Sequence, residues 1–262
     1  MKTTTMTMTL RQARAVKRKR GLFLRSIKMV LLTAFIVSGT AAVAYYFPQS
    51  DYFKVQRVVF ENANKIDEDT IYDASGIKAD DNVLFLDTDL IEKNVEQLPY
   101  VKRCEVSRMS VNELLLRISE REAAATVMVN NHRFEIDREL VVLRQLSPFS
   151  VSVGPLITNL PGVVTLWPGQ HLDIPEIKAA FELWEEFRKL PFADKLTLSE
   201  ISAPSMDNLC TYFEELPYEI RWGRTSFDSQ ATQFAILWDE MGGAIPCEYY
   251  MDLRFDSGIV CR

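Results

Sequence analysis

MVLLTAFIVSGTAAVAYYF (Met29–Phe47) runs for 19 residues without a charge, and its reading decides the architecture of the chain. As a helix it spans about 28 Å at roughly 1.5 Å per residue, close to the thickness of a bilayer's hydrocarbon core. Lipid offers no partners to backbone N–H and C=O groups, so a helix is the expected form. Tyr45 and Tyr46 stand near its end, where amphipathic rings favour the interface, and Pro48 stops it. The preceding residues 1–28 carry nine basic side chains and no acidic one. Arg18, Lys19, Arg20, Arg25 and Lys28 flank the expected anchor, and the positive-inside rule keeps this side cytoplasmic. The following 215 residues then lie outside the cytoplasm. A basic region, an apolar core and Ala42-Val43-Ala44 also fit a cleaved secretory signal. The basic region is long and the apolar run exceeds the usual signal core, so an uncleaved anchor is expected. Basic runs beside membrane helices usually serve topology and lipid contact, which places nucleic-acid binding second.

Outward from this segment, the charge pattern divides the chain into three zones. The net charge is −6, but residues 48–262 hold 21 basic and 36 acidic residues, a balance of −15. With 47% hydrophobic residues in a chain of 262, a disordered or fibrous protein is excluded. A uniformly acidic soluble enzyme is excluded too. No second apolar stretch approaches membrane length, so the expectation is one span and an external body.

That body begins with a strand over residues 52–60 (YFKVQRVVF). A short helix follows near Ile66–Tyr72, with Asp67 or a neighbour as cap and Gly76 at its end. A second helix over Thr88–Gln97 presents Leu90, Ile91, Val95 and Leu98, and Pro99 terminates it. Val101–Met109 and Glu113–Glu120 read as strands; in the second, Leu114, Leu116 and Ile118 share one face. The order is β-α-α-β-β.

This order resembles the POTRA domain. The residues that carry the likeness are Phe53, Val55, Val58 and Phe60, then Ala79–Asp87, Leu98–Val101 and Ile118–Ala124. A basic tail, one membrane helix and one POTRA domain together resemble the bacterial cell-division FtsQ/DivIB family. Farther on, His132–Leu143 reads as two strands about an Asp-Arg-Glu turn, similar to a family hairpin whose glycine position is Glu139 or Leu140 here. Leu160-Pro161-Gly162 and Gly223-Arg224 are similar to further family turns. Met251–Gly258 (MDLRFDSG), within an expected last strand over Tyr249–Gly258, is the most specific likeness; the whole covers roughly residues 11–262. Family members commonly run on past this strand, so partner contacts from such an extension are expected to be missing.

Between these landmarks, Asp173-x-x-Glu176 suggests a capping box with Pro175 in the first turn, opening a helix whose stripe is Ile177, Ala180, Phe181, Trp184 and Phe187. Leu196–Ile201 and Leu209–Phe213 read as strands joined through Ala203-Pro204-Ser205, and Tyr218–Trp222 as another. A helix from about Ser226 to Met241 carries Phe227, Ala231, Phe234, Trp238 and Met241, and Gly242-Gly243 end it. Both stripes read as core. The fold class is therefore α+β: a single transmembrane helix, then a POTRA domain, then a mostly antiparallel β-domain with two helices. The expected boundaries are a basic tail over 1–28, the membrane helix over 29–47, POTRA over 48–122 and the β-domain over 123–262.

Chemistry-bearing motifs are scarce. His132 and His171 are 39 positions apart and isolated, and no nucleophile elbow, phosphate loop, zincin or dinucleotide motif occurs. The acidic runs near Lys65–Asp69 and Lys78–Asp81 read as solvated faces. Cys104, Cys210, Cys247 and Cys261 form no Cys-x-x-Cys. Inert buried thiols are expected, with a bridge between strand partners such as Cys210 and Cys247 kept open. No enzyme, metal, cofactor, nucleic acid or small-molecule substrate is expected.

A final strand of a β-domain is an edge to which a partner strand can add. The family resemblance implies that this edge recruits the small bitopic division proteins FtsB and FtsL, with Arg254, Phe255, Ser257 and Gly258 as contacts. It further implies a scaffold in the bacterial inner membrane at the division septum, near septal peptidoglycan synthesis proteins. A POTRA-bearing translocation or outer-membrane assembly component is the alternative. That class would normally carry several POTRA repeats or a β-barrel, and neither pattern is present.

Overall fold

The computed structural model describes residues 10–223, 226–255 and 258–262; the side chains of residues 10–26 and of Pro48 lie outside that description. The apolar run folds as expected, inside a longer helix. Helix α1 (Leu10–Tyr46) has 37 residues, so it extends back through much of the basic segment. Its Ile27–Tyr46 portion is long and apolar enough to cross a membrane, and no other described helix is. Thr33, Ser38 and Thr40 return their hydroxyls to carbonyls three or four residues earlier, which satisfies them within the helix. Two 3₁₀ turns, Phe47–Gln49 and Asp51–Phe53, follow. The expected strand over residues 52–60 thus begins later, as β1 (Arg57–Glu61).

Helices α2 (Glu68–Ser75) and α3 (Thr88–Val95) come next. Gly76 closes α2 at φ 70°, a backbone that a side chain would strain. Asp87 caps α3 by accepting the Leu90 N–H at 3.2 Å. Strands β2 (Val101–Arg108) and β3 (Glu113–Glu120) follow, and the three-stranded sheet has the order β1-β3-β2. The β-α-α-β-β reading is correct.

The remaining strands are β4 (Ala123–Val129), β5 (His132–Asp137), β6 (Val142–Leu146), β7 (Leu156–Thr158), β8 (Leu198–Ser205), β9 (Asn208–Phe213), β10 (Glu219–Trp222), β11 (Tyr250–Asp252) and β12 (Val260–Cys261). They form one sheet in the order β12-β11-β10-β9-β8-β7-β4-β5-β6. Helix α4 (Pro175–Arg188) crosses from β7 to the parallel β8, and α5 (Phe227–Glu240) crosses from β10 to the parallel β11. The other pairings are antiparallel except β4 with β7. Both crossover helices contribute to one apolar core, where Phe192 stacks on Trp238 at 4.5 Å and Phe187 meets Phe213 at 4.8 Å. Trp222 is fully buried and donates its indole N–H to Thr211 Oγ1 at 2.9 Å.

Several expectations need correction. No side chain caps α4: Ile174 occupies the cap, and Asp173 pairs instead with Lys178. Residues 203–205 continue β8 rather than joining two strands, and the turn falls after Ser205. The sequence pattern marks none of β4, β7 and β12 as a strand. At the β5–β6 turn it is Leu140 that takes the left-handed conformation, at φ 61°. Leu140 is buried there, so packing offsets a backbone cost of about 1–2 kcal/mol. Gly154 is required for space as well as for φ 62°, because a Cβ there would lie 2.0 Å from the Ala124 carbonyl oxygen.

By contacts, the described residues fall into two compact units. One takes the residues up to Val58 with Lys78–Leu86 and Arg108–Leu114; the other takes Val59–Ile77, Asp87–Ser107 and Leu115–Arg262. In the second, buried Gln230 accepts the Gly223 N–H at 3.0 Å and donates to the Gly223 carbonyl at 3.2 Å. Gln230→Ala strands both backbone groups in the core, and we expect a loss of about 2–4 kcal/mol, measured by urea unfolding.

Candidate partner-docking edge

The end of the large sheet is built from the α5 crossover onward. After α5 the chain passes buried Ile245 and Cys247, then enters β11 beside β10 in the register Glu219↔Tyr250 and Arg221↔Asp252. β12 returns antiparallel with Met251↔Cys261 and Asp252↔Val260. Tyr250 and Arg262 exchange both backbone hydrogen bonds, at 3.2 and 3.1 Å. By the alternation of an antiparallel ladder, the N–H and C=O of Cys261 therefore point to the outer side. A disulfide between Cys247 and Cys261, with Cα atoms 5.2 Å apart, ties β12 down.

The expected last strand over Tyr249–Gly258 is corrected accordingly. It ends at Asp252, and β11 is sealed between β10 and β12, so the sheet margin is β12. The reason is local. The Asp252 carboxylate accepts the Arg254 backbone N–H at 3.1 Å, a turn-type bond that draws the chain out of the ladder. Arg254 then grips the same carboxylate through Nε at 2.9 Å and Nη2 at 2.5 Å, and its Nη1 donates to Asn208 at 3.2 Å. That pairing holds the Asp252 carboxyl below the usual carboxylate range and raises the Arg254 guanidinium. Beside it, the Arg221 guanidinium lies 3.9 Å from the centre of the Tyr250 ring and pairs with Glu219 at 2.5 Å.

Of the residues singled out from sequence, Arg254 is thus engaged with the sheet. Phe255 is 50% exposed, Gly258 lines a cleft, and Ser257 lies outside the described residues, as does Arg224 of the Gly223-Arg224 turn. The cleft holds about 580 Å³ among Gln233, Ile236, Met241, Ile245, Gly258 and Cys261. Arg18, Lys19, Arg20, Arg25 and Lys28 all lie on α1, and only Lys28 among them has a described side chain, which is exposed. Sequence reasoning missed Val260, 43% exposed on the margin itself, and the cleft lined by its neighbours Ile259 and Cys261. The available signal was the second cysteine of the pair that brackets the final strand.

The other two thiols are unpaired: Cys104 is buried and Cys210 half-buried. Burial, then Glu92 and Glu96, pushes the Cys104 thiol up to about 12, and burial also raises Cys210, so neither is a poised nucleophile. Among the described residues no group of three or more His, Cys, Asp or Glu is placed to hold a metal ion.

The profile described as POTRA domain, FtsQ-type, matches residues 53–121. A cell division protein FtsQ of Syntrophotalea carbinolica is 23% identical over 215 residues, covering 81% of this chain and 75% of that protein. These matches support the FtsQ/DivIB family for this chain. The cell division protein FtsQ of Rickettsia bellii is 30% identical over 98 residues, 37% of either chain. The cell division protein DivIB of Clostridium botulinum is 26% identical over 130 residues, 50% of this chain and 48% of its own. For those two the match spans less than half of the relative.

Two outcomes follow from the geometry of this edge. Cys247→Ser with Cys261→Ser opens a closure of 14 residues and is expected to cost about 3 kcal/mol, seen as a lower melting temperature that added reductant does not lower further. Asp252, with a depressed folded pKa, contributes stability above its unfolded pKa of about 4 and loses it as pH falls through the folded value. Asp252→Asn is therefore expected to melt lower at pH 7 and to show a flatter dependence below about pH 4.

Proposed function

We propose that this FtsQ/DivIB-family chain is a non-enzymatic, single-pass scaffold of the division septum that recruits small bitopic proteins of the FtsB/FtsL kind by strand addition. Its relatives are cell division proteins by name, which supports a division-related scaffold. The observation that carries the finer reading is the margin at β12: a short exposed strand with outward-facing backbone groups beside an apolar cleft. A partner strand laid along Val260–Cys261 would gain main-chain hydrogen bonds, and an apolar side chain of that partner would fill the cleft. Gly258 lines that cleft, and exposed Phe255, with Arg254 and Ser257, completes the proposed contact set. The nine cations of residues 1–28 support a cytoplasmic N-terminus and a periplasmic body. Other septal peptidoglycan synthesis proteins are further partners in this reading.

The test is photo-crosslinking in growing cells from residue 255 or 260, with residue 145 on the opposite margin as control. A small single-span division protein captured from 255 and 260, and absent from 145, is expected. Phe255→Ala should reduce capture at 260 several-fold while the melting temperature holds. Capture from 145 alone, or undiminished capture by the Phe255→Ala variant, sinks the proposal.

A further inference from the structure

The unit that contains α1 carries an apolar surface outside the edge just described. Its residues are linked by a chain of contacts that starts at the end of the helix. Phe47 packs edge-on against Phe53 with ring centres 5.3 Å apart. The Phe53 carbonyl accepts the Val83 N–H at 2.8 Å, and Val55 N–H donates to Asp81 at 2.9 Å. This draws the segment Lys78–Leu86 to the end of the helix. There the Asn82 carbonyl accepts the N–H groups of Phe85 and Leu86, at 3.0 and 3.1 Å. Arg108 clamps the same turn, donating to the Val83 carbonyl at 2.7 Å and the Leu86 carbonyl at 2.8 Å.

The result is a braced turn that holds apolar side chains in the open. Phe85 is 69% exposed, Tyr52 62%, and Met109, next to the clamping arginine, 57%; Leu84 is exposed as well. Single exposed apolar residues are ordinary, whereas several on one hydrogen-bonded platform mark a contact surface. The clamp prevents the turn from folding these side chains inward.

We infer that Tyr52, Leu84, Phe85 and Met109 form a second membrane contact, seated in the headgroup–acyl boundary of the bilayer that α1 crosses. Continuity selects lipid as the occupant: only five residues separate Tyr46, where α1 ends, from Tyr52, and 3₁₀ turns take up most of that stretch. Tyr45, Tyr46 and Phe47 already supply the ring types that favour an interface. Charge does not select it. In this unit beyond the helix, Lys54, Arg57, Lys78 and Arg108 balance Asp51, Asp80, Asp81 and Glu113. The contact is therefore apolar and independent of anionic lipid. It would restrain this unit against tumbling about the end of its anchor. The inference rests on the reading of α1 as a membrane span.

The experiment uses the full chain in phosphatidylcholine vesicles, with a benzophenone amino acid at 85, 109 or, as the polar control, 80. Lipid adducts at 85 and 109, several-fold above those at 80, are expected, with equal yield when phosphatidylglycerol is added. Phe85→Glu should lower the adduct at 109. Alkaline carbonate extraction separates the two readings. A chain released by carbonate refutes the span and this contact with it. A chain retained in the vesicles with no lipid adduct at 85 above the control refutes the contact alone. Adducts that require phosphatidylglycerol, or a protein adduct at 85 in cells in place of lipid, overturn it as well.

Discussion

Every open sheet must dispose of two unpaired margins, and the large sheet of this chain treats its own two differently. At β6 the chain covers part of the margin itself. Val142 donates to the Gln170 carbonyl at 2.9 Å and accepts from Gly169 at 2.8 Å, and Leu172 donates to Leu140 at 2.8 Å. At the other end the last strand is only Val260–Cys261, too short for its ladder alone to hold it. A covalent tie to Cys247 and the gathering of three N–H groups, those of Glu248, Tyr249 and Tyr250, on the Arg262 carbonyl do that work. One margin is partly closed by ordinary backbone pairing; the other is held in place yet left open.

The same short segment thus serves both stability and presentation. Met251, Asp252 and Leu253 are buried, and a residue later the chain has left the sheet. Asp252 is the pivot, because one carboxylate bonds the backbone that turns away and the guanidinium that follows it. The proposed strand addition requires a margin that keeps its shape while unpaired. Here the charged pair and the disulfide supply that rigidity from opposite sides of β11.

The parts legible in the sequence are those whose cause is local. The uncharged run of Met29–Phe47, the glycine that ends α2 at Gly76 and the alternation of Glu113–Glu120 each declare their element within a few residues. The parts that were not legible depend on distant partners. Ala123–Val129 has no alternating polarity, because β4 lies inside the sheet with β5 on one side and β7 on the other. Leu156–Thr158 is too short to show a period, and only its two parallel neighbours make it a strand. The terminal likeness at Met251–Gly258 located the correct region, yet composition could not say where pairing stops, since that is decided by a side chain folding back onto its own backbone.

The β-α-α-β-β order of the first external domain, the one span-length apolar helix, the absence of familiar catalytic motifs and the family likeness were all contained in the linear pattern, because periodicity, charge and turn chemistry act over one or two turns of chain. The cysteine partners, the identity of the margin strand, the cleft beside it and the braced apolar turn beside the anchor arose only in three dimensions. Each of them brings together groups from separate segments, and no local preference encodes which segments will meet.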